Sequence, residues 1–201
     1  MQVVVPRRIV RFQGEKNMGY VYLYVGTGGG KTANALGLAL RSVGHNKSVV
    51  IIQFFKWKKD IGEVLVRDKL APYYEIYQFG REAWLGKKEK TATFGGEKFN
   101  VESVKSHDKE LAKRALDFAA KIMREKKPHL LVLDEVGLAT KWKMLEVKDV
   151  LKLLENVPVE TTVVMTGRLA PKEFVERADF VNEIRQVKMP KNFKLTEGIQ
   201  Y

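Results

Sequence analysis

The stretch GYVYLYVGTGGGKTANALGLALRSVG, residues 19–44, determines the fold of this chain. Residues 19–25 are apolar and aromatic, as is typical of a buried strand, and residues 31–44 carry apolar side chains at helical spacing. Between them stand four glycines and a threonine, directly before Lys31 and Thr32. The order strand, glycine-rich loop and helix predicts a phosphate-binding loop at the N-terminus of the helix.

The loop is one residue shorter than the standard pattern G-x-x-x-x-G-K-[ST], since Gly26, Gly30, Lys31 and Thr32 give G-x-x-x-G-K-T. The physical requirement is still met, because residues without a Cβ let backbone N–H groups converge on phosphate oxygens. Lys31 and the helix dipole add positive charge. The alternative is a glycine-rich turn that binds nothing, which does not account for Lys-Thr at the start of the helix.

The rest of the chain alternates between strand and helix patterns. Strands are predicted at 48–55, 73–79, 129–135, 161–166 and 179–187, the second nearer a sheet edge because its pattern alternates more. Helices are predicted at 101–126, 145–156 and 171–178. This order predicts an α/β fold of three layers, with a mostly parallel sheet and helices on both faces.

The chain length of 201 residues fits a single domain. We predict an N-terminal extension at 1–18, in which an alternating β-branched pattern and a proline indicate extended backbone. One domain then covers 19–201, with long loops at about 56–72 and 80–100.

The composition limits the chemistry and the location. The sequence has no cysteine, which excludes disulfides, thiolate metal sites and dithiol redox chemistry. No apolar stretch is long enough for a bilayer and no signal peptide is recognised, so we expect a cytoplasmic protein. The net charge of +12 indicates an anionic partner, although solvated surface lysines in ion-pair networks explain part of it equally well.

The segment LLVLDE, residues 130–135, is an apolar strand that ends in Asp134 and Glu135. In phosphate-loop folds a carboxylate at this place holds or orients Mg²⁺, directly or through water. The alternative is a strand that ends in solvated acids. Beside the glycine loop, these residues predict that the chain binds a nucleoside triphosphate with Mg²⁺, and that Thr32 contributes its hydroxyl to the metal.

A longer series of motifs resembles the ATP:corrinoid adenosyltransferases of the RecA-like phosphate-loop type. The resemblance covers most of residues 19–201, and a generic ATPase would share only the loop and the acidic strand end. The motifs that carry it are the shortened loop, R-x-V-G-H at Arg41–His45, Gln53-Phe54, T-G-R at Thr166–Arg168, A-D…E-x-R…V-K from Ala178 to Lys188, and the terminal EGIQY.

The resemblance implies that Co(I) of a reduced corrinoid attacks the 5′ carbon of ATP and expels triphosphate. No protein nucleophile or general base is then required, because stabilisation of the leaving charge and alignment of the reactants suffice. The resemblance implies that the triphosphate is bound by Gly26, Thr27, Gly28, Gly29, Gly30, Lys31 and Thr32, and that Arg168 contacts the nucleotide. It implies Thr32, Glu135 and Asp134 as the residues at the metal. It implies Lys31, Thr32 and Glu135 as the catalytic residues. No histidine has a predicted role, and His45 is expected to cap the helix end.

The resemblance also implies aromatic residues that press on the corrinoid, for which Phe79 and Trp84 are the candidates. The alternative is that both cover the sheet edge, because the family spacing G-F-x-W is not reproduced. Two further departures are Gly29, where the family usually has a lysine, and the extended N-terminal stretch in place of a helical arm.

Two other functions are compatible with a phosphate loop. One is a RecA-like ATPase that acts on nucleic acid or a protein, and the other is a nucleotide sensor without turnover. Nucleic acid is not the expected partner, because the lysine-rich segment 86–98 has few aromatic residues on which bases could stack. The resemblance implies a homodimer and an acidic, flavodoxin-like electron donor that docks on the basic surface.

Overall fold

The computed structural model describes residues 18–82, 85–94, 97–101, 104–190, 192 and 194–200, of which 85–94 and 97–101 are described by their backbone. The strands in these ranges are β1 (Val21–Val25), β2 (Val49–Phe54), β3 (Tyr74–Phe79), β4 (Leu85–Phe94), β5 (Glu97–Val101), β6 (Leu130–Asp134), β7 (Thr162–Thr166) and β8 (Phe180–Glu183). The helices are α1 (Lys31–Gly44), α2 (Gly62–Leu65), α3 (Ser106–Glu125), α4 (Val136–Lys141), α5 (Val147–Leu154) and α6 (Lys172–Arg177).

Six strands form one sheet in the order β3-β2-β6-β7-β1-β8, and every pairing in it is parallel. The predicted parallel α/β fold and the edge position of β3 are therefore confirmed. Strand β7 lies between β1 and β6, so the loop after β1 and the acidic end of β6 share one edge of the sheet but are one strand apart. The site described below occupies this carboxyl edge.

The central strands β2, β6 and β7 are buried on both faces, as their apolar sequences require. In β2 the side chains of Val50, Ile52 and Phe54 join a core with α3, α5 and α6, while Val49 and Ile51 pack on the α1 side. All six residues of β2 are buried, which explains its continuous apolar sequence. Layers of helix, sheet and helix follow from this two-sided burial, as predicted.

The connections differ from the prediction in three places. The segment 56–72 contains α2 and a 3₁₀ turn at Arg67–Lys69, and the segment predicted as a loop at about 80–100 contains β4 and β5. These two strands form a separate antiparallel ribbon. Consequently α3 begins at Ser106 and not at residue 101, since residue 101 ends β5. Short helix α4 directly after β6 was not predicted.

Helix α3 and the end of β3 are joined at the base of the ribbon. Arg81, which follows β3, donates two hydrogen bonds to the Asp108 carboxylate in the first turn of α3. The same carboxylate accepts the Lys105 N–H at 2.8 Å and so caps the helix. Asp108 therefore links the residue that follows β3 to the start of α3.

No helix among the described residues is long and apolar enough to cross a membrane. The predicted N-terminal extension, residues 1–18, lies outside the described residues except for Met18.

Candidate functional site

The glycine loop connects β1 to the first turn of α1. Gly26 and Gly30 have φ of 106° and 101°, a conformation that glycine adopts without steric cost. A Cβ on Gly26 would lie 2.3 Å from the Ile184 carbonyl oxygen, so this glycine also permits a close approach of two backbones. The Gly28 N–H donates to the same carbonyl at 2.9 Å. Ile184, which follows β8, therefore lies against the backbone of the loop, and the loop motif did not predict this contact.

Gly29 differs from its neighbours. Its position is exposed, its φ lies outside the left-handed region, and an added Cβ would meet nothing within 4 Å. A side chain at this position would therefore fit. The loop geometry does not require glycine where the resembled family usually has a lysine.

Lys31 begins α1 and folds back over the loop. Its Nζ donates to the carbonyl oxygens of Gly26 at 2.9 Å and Gly28 at 2.6 Å, and the residue is only 7% exposed. Burial lowers the pKa of Lys31, partly opposed by the nearby negative charge of Glu135. The structure thus places a buried ammonium group within the loop that is predicted to hold phosphates.

Asp134 ends β6 and is the centre of a buried hydrogen-bond network. Its Oδ1 accepts the hydroxyl protons of Thr32 at 2.8 Å and Thr166 at 2.7 Å. Burial acts to raise the pKa of Asp134, but the charge of Lys56 and these hydrogen bonds outweigh it, so the net pKa lies below its usual value. The structure brings together the predicted Thr32 and Asp134 across the width of β7.

Glu135 follows in a left-handed conformation with φ of 66°, and its N–H donates to Thr166 Oγ1 at 2.8 Å. Burial, with the adjacent Asp134 charge, raises the pKa of Glu135 to about 7. Its Oε2 is buried and has no hydrogen-bond partner among the residues that the structure describes. A strained backbone and an unsatisfied buried carboxylate oxygen are typical of a functional position.

Lys56 and Glu63 complete the network on the side of β2, and sequence analysis did not identify either residue. Lys56 Nζ lies 3.2 Å from Asp134 Oδ2 and 2.9 Å from Glu63 Oε1. Burial acts to lower the pKa of Lys56, but the charges of Asp134 and Glu63 outweigh it and raise the pKa. The available signal was the position of Lys56 just after a buried strand, at the same sheet edge as Asp134.

Gln53 links the same groups within the sheet. Its Nε2 donates to Asp134 Oδ2 at 3.2 Å and to Glu63 Oε1 at 3.1 Å. Its Oε1 accepts a hydrogen bond from Gln78 Nε2 at 3.1 Å. The polar residue in the otherwise apolar β2 is therefore part of the site and is fully paired in the described structure.

Arg168 of the T-G-R motif reaches the glycine loop. Its Nη2 donates to the Thr27 carbonyl oxygen at 3.1 Å. Burial lowers the pKa of Arg168, although the charge of Glu135 opposes the shift. The predicted cluster of loop, acidic strand end and arginine therefore forms one continuous site.

Of the two predicted corrinoid residues, the structure describes Phe79. Phe79 ends this strand and packs against Phe118 of α3, with ring centroids 5.8 Å apart. This contact matches the packing alternative for Phe79, and a contact with corrinoid stays a prediction. Trp84 lies outside the described residues.

None of the hydrogen bonds and ion pairs described above involves a histidine. The His45 N–H donates to the carbonyl oxygens of Ser42 and Val43 at the end of α1, so the predicted capping position is confirmed. Among the described residues no group of three or more His, Asp or Glu side chains could hold a metal ion.

The comparisons with known proteins agree on one family. The family model described as "ATP:corrinoid adenosyltransferase BtuR/CobO/CobP" matches residues 17–201. A corrinoid adenosyltransferase of Escherichia coli strain K12 is 29% identical over 199 residues, which cover 98% of this chain and 92% of that protein. A corrinoid adenosyltransferase of a Sinorhizobium species is 26% identical over 188 residues, or 91% of this chain and 80% of the relative. A third, from Salmonella typhimurium, is 28% identical over 191 residues, or 94% and 89% of the two chains.

Proposed function

The chain belongs to the ATP:corrinoid adenosyltransferase family, and from this premise we propose that it transfers the 5′-deoxyadenosyl group of ATP to Co(I) of a reduced corrinoid. The cobalt electron pair forms the bond to the 5′ carbon, the bond from that carbon to the α-phosphate oxygen breaks, and triphosphate leaves with its electron pair. The observation that carries the proposal is the glycine loop with Lys31, beside a Thr32–Asp134 hydrogen bond of 2.8 Å, in a chain of this family.

The triphosphate is proposed to lie in the loop from Gly26 to Thr32, with Arg168 at its side. Lys31 exchanges its contacts with loop carbonyls for contacts with phosphate oxygens, since its Nζ is already inside the loop. The backbone N–H groups at the start of α1 supply further donors. Once the nucleotide is bound, these groups contact the triphosphate before the reaction begins, so they stabilise the leaving charge as it develops.

The residues present fit Mg²⁺, and we propose Thr32 and Glu135 as its protein ligands. Glu135 offers the buried, unpaired Oε2, while Thr32 donates its proton to Asp134 and keeps its lone pairs for a cation. Mg²⁺ is commonly held by one or two protein oxygens together with phosphates, which agrees with the small number of acidic groups here. When bound, the ion supplies positive charge to the leaving triphosphate.

The residues of the chain then bind the two substrates, orient them towards each other and exclude water from the site. No group in the site has to remove a proton, because neither the cobalt nucleophile nor the attacked carbon gives one up. The corrinoid is proposed to approach from the side of β3, where Phe79 and Trp84 are the candidate contacts. A homodimer and an acidic, flavodoxin-like electron donor are further proposals that rest on the family.

The products test the proposal. The protein is incubated anaerobically with Co(I) corrinoid, ATP and Mg²⁺, and the expected products are a light-sensitive alkylcobalt species and inorganic triphosphate. Lys31→Ala should lower the rate by roughly 100-fold or more, as for the loss of a main stabilising donor. Lys121→Ala, at an exposed position on α3, is the control and should be unchanged. Release of ADP and phosphate would instead identify an ATPase.

A further inference from the structure

Lys56 is a partly buried cation, and the proposed reaction assigns it no contact with a substrate. It lies two residues beyond the end of β2, and its side chain is 30% exposed while that of Asp134 is 0% exposed. Among the ion pairs found in the described residues, Lys56 is the partner of Asp134. A buried carboxylate without such a partner is costly, so the charge of Lys56 stabilises Asp134 in its ionised form.

The two oxygens of Asp134 face different sets of donors. Among the described residues, Oδ1 accepts from the two threonine hydroxyls, at 2.8 Å from Thr32 and 2.7 Å from Thr166. Oδ2 accepts from the Gln53 amide and the Lys56 ammonium group, each at 3.2 Å. The carboxylate is therefore held from both ends, and its rotation would break contacts on both sides.

The orientation of Thr32 depends on this arrangement. A hydroxyl group has one proton and two lone pairs, and donation of the proton to Asp134 leaves the lone pairs directed elsewhere. If the carboxylate turned, Thr32 would lose its acceptor and its hydroxyl would be free to point its proton at the cation. The fixed Oδ1 therefore determines which face of Thr32 meets a metal.

Lys56 is itself fixed, although lysine side chains are flexible. Its Nζ lies 2.9 Å from Glu63 Oε1, and the Glu63 side chain is only 11% exposed. Gln53 donates to both Glu63 and Asp134, so the lysine and the amide contact the same two carboxylates. Glu63, in the connection between β2 and β3, thus holds Lys56 in contact with Asp134 at the end of β6.

We propose that Lys56, held by Glu63, is a positioning residue that fixes the Asp134 carboxylate and thereby aims the Thr32 hydroxyl oxygen at the bound magnesium nucleotide. The inference rests on the proposed function, since it presupposes that the site binds ATP with Mg²⁺. Lys56 acts through Asp134 and is not assigned a contact with substrate.

The test compares ATP binding with and without Mg²⁺, in the full chain and without corrinoid. Isothermal titration calorimetry with MgATP, and with ATP in EDTA, gives two dissociation constants. Their ratio, called the Mg²⁺ factor below, is the factor by which Mg²⁺ tightens ATP binding. Lys56→Met should reduce this factor by about tenfold, within the range found when outer-shell partners of metal ligands are changed. Lys56→Arg should restore most of it, because the charge remains.

Two further variants separate positioning from a general structural role. In an Asp134→Asn background Lys56→Met should cause no additional loss, because the group through which Lys56 acts is altered already. Lys126→Met is the matched control, because Lys126 also pairs with a glutamate on another element, Glu75 at 2.7 Å. Lys126 directly follows the last residue of α3 and has no contact described with the site. It should leave the Mg²⁺ factor unchanged.

The outcomes are distinct. If the wild-type chain binds no MgATP, the proposed function fails and this inference fails with it. If the wild type binds but Lys56→Met keeps the full Mg²⁺ factor, or loses affinity equally with and without Mg²⁺, the positioning role is overturned while the function stands. If Lys56→Met does not fold, Glu63→Gln is measured instead, and an unchanged factor in that variant overturns the role of the pair.

Discussion

Among single residues, Glu135 has the ionisation with the clearest consequence for stability. Its pKa is raised from an ordinary 4.5 to about 7, chiefly by burial. Between these two values the folded protein binds a proton that the unfolded chain has lost. The contribution to the free energy of unfolding is therefore complete below about pH 4.5 and is lost as the pH rises to about 7.

We predict that Glu135→Gln removes this dependence in the protein without Mg²⁺. The measurement is urea unfolding in EDTA at pH 5 and pH 7.5. The free energy of unfolding of the variant minus that of the wild type should be roughly 2–3 kcal/mol larger at pH 7.5 than at pH 5. All other ionisable groups are present in both proteins, so their effect cancels in the difference. Parallel stability profiles for the two proteins would contradict the prediction.

Gly29 leads to a second prediction at the same scale. Since an added Cβ meets nothing within 4 Å, Gly29→Lys should fold normally and bring an ammonium group to the phosphates. We expect ATP to bind roughly three- to tenfold more tightly, as one exposed charge-assisted contact allows. Gly29→Gln has a long polar side chain without the charge and should not reproduce the gain. Equal affinity for both variants would show that the charge does not reach the nucleotide.

The residues of the site differ in how far the sequence predicts them. Two motifs of general chemistry predict Thr32 and Asp134 beside the same metal, and the structure brings the two side chains within hydrogen-bonding distance. Lys56 could not be predicted in the same way, because a lysine after a strand is usually a solvated surface residue. Its contact with Asp134 depends on β2 and β6 being neighbours, which no local pattern reveals.

At the scale of elements, a buried ion pair joins the end of β3 to the first turn of α3. The side chains of Arg81 and Asp108 are 17% and 2% exposed, and Asp108 lies in the first turn of α3. Burial acts to raise the pKa of Asp108, but hydrogen bonds from Arg81 and the Lys105 N–H outweigh it and lower the pKa. Loss of Arg81 would remove the guanidinium partner of this buried carboxylate and leave it the hydrogen bond from the Lys105 N–H.

We therefore predict that Arg81→Met destabilises the fold by about 3 kcal/mol, near the lower end of the cost of breaking a buried pair. The double variant Arg81→Met with Asp108→Asn should recover part of this loss, because the uncompensated charge is gone. Lys121→Met removes an exposed pair on the same helix and should cost less than about 0.5 kcal/mol. Chemical unfolding of the four proteins measures these differences, and an equal effect of the two single variants would contradict the buried-pair explanation.

The elements also show where local pattern is insufficient. The strands and long helices of the main sheet were predicted within a few residues, because each has a continuous apolar run or a regular period. The ribbon was missed because its lysine-rich strands have no apolar face that a periodicity could reveal. Its strands pair Thr93 with Lys98 and Phe94 with Glu97, a register that no apolar pattern in the sequence indicates.

For the whole molecule, the alternation of strands and helices predicted a parallel three-layer fold, but not the strand order. The insertion of β7 between β1 and β6 depends on how crossover connections pass over the sheet, and several orders satisfy the same sequence pattern. This order is what allows Thr166 to stand between the loop and Asp134. The arrangement of the site is thus a property of the entire fold.

Because the site joins β1, β2, β6 and β7, a ligand bound there should stabilise the whole domain. A ligand at 100 times its dissociation constant adds about 2.7 kcal/mol to the free energy of unfolding, which for a chain of this size raises Tm by roughly 5–10 °C. We predict this shift on addition of MgATP to the wild type, measured by differential scanning calorimetry. Lys31→Ala should lose most of it at the same ligand concentration, while its Tm without ligand shows whether the variant is folded. A shift of equal size in the folded variant would mean that the nucleotide binds away from the glycine loop, since Lys31 is the buried cation inside that loop.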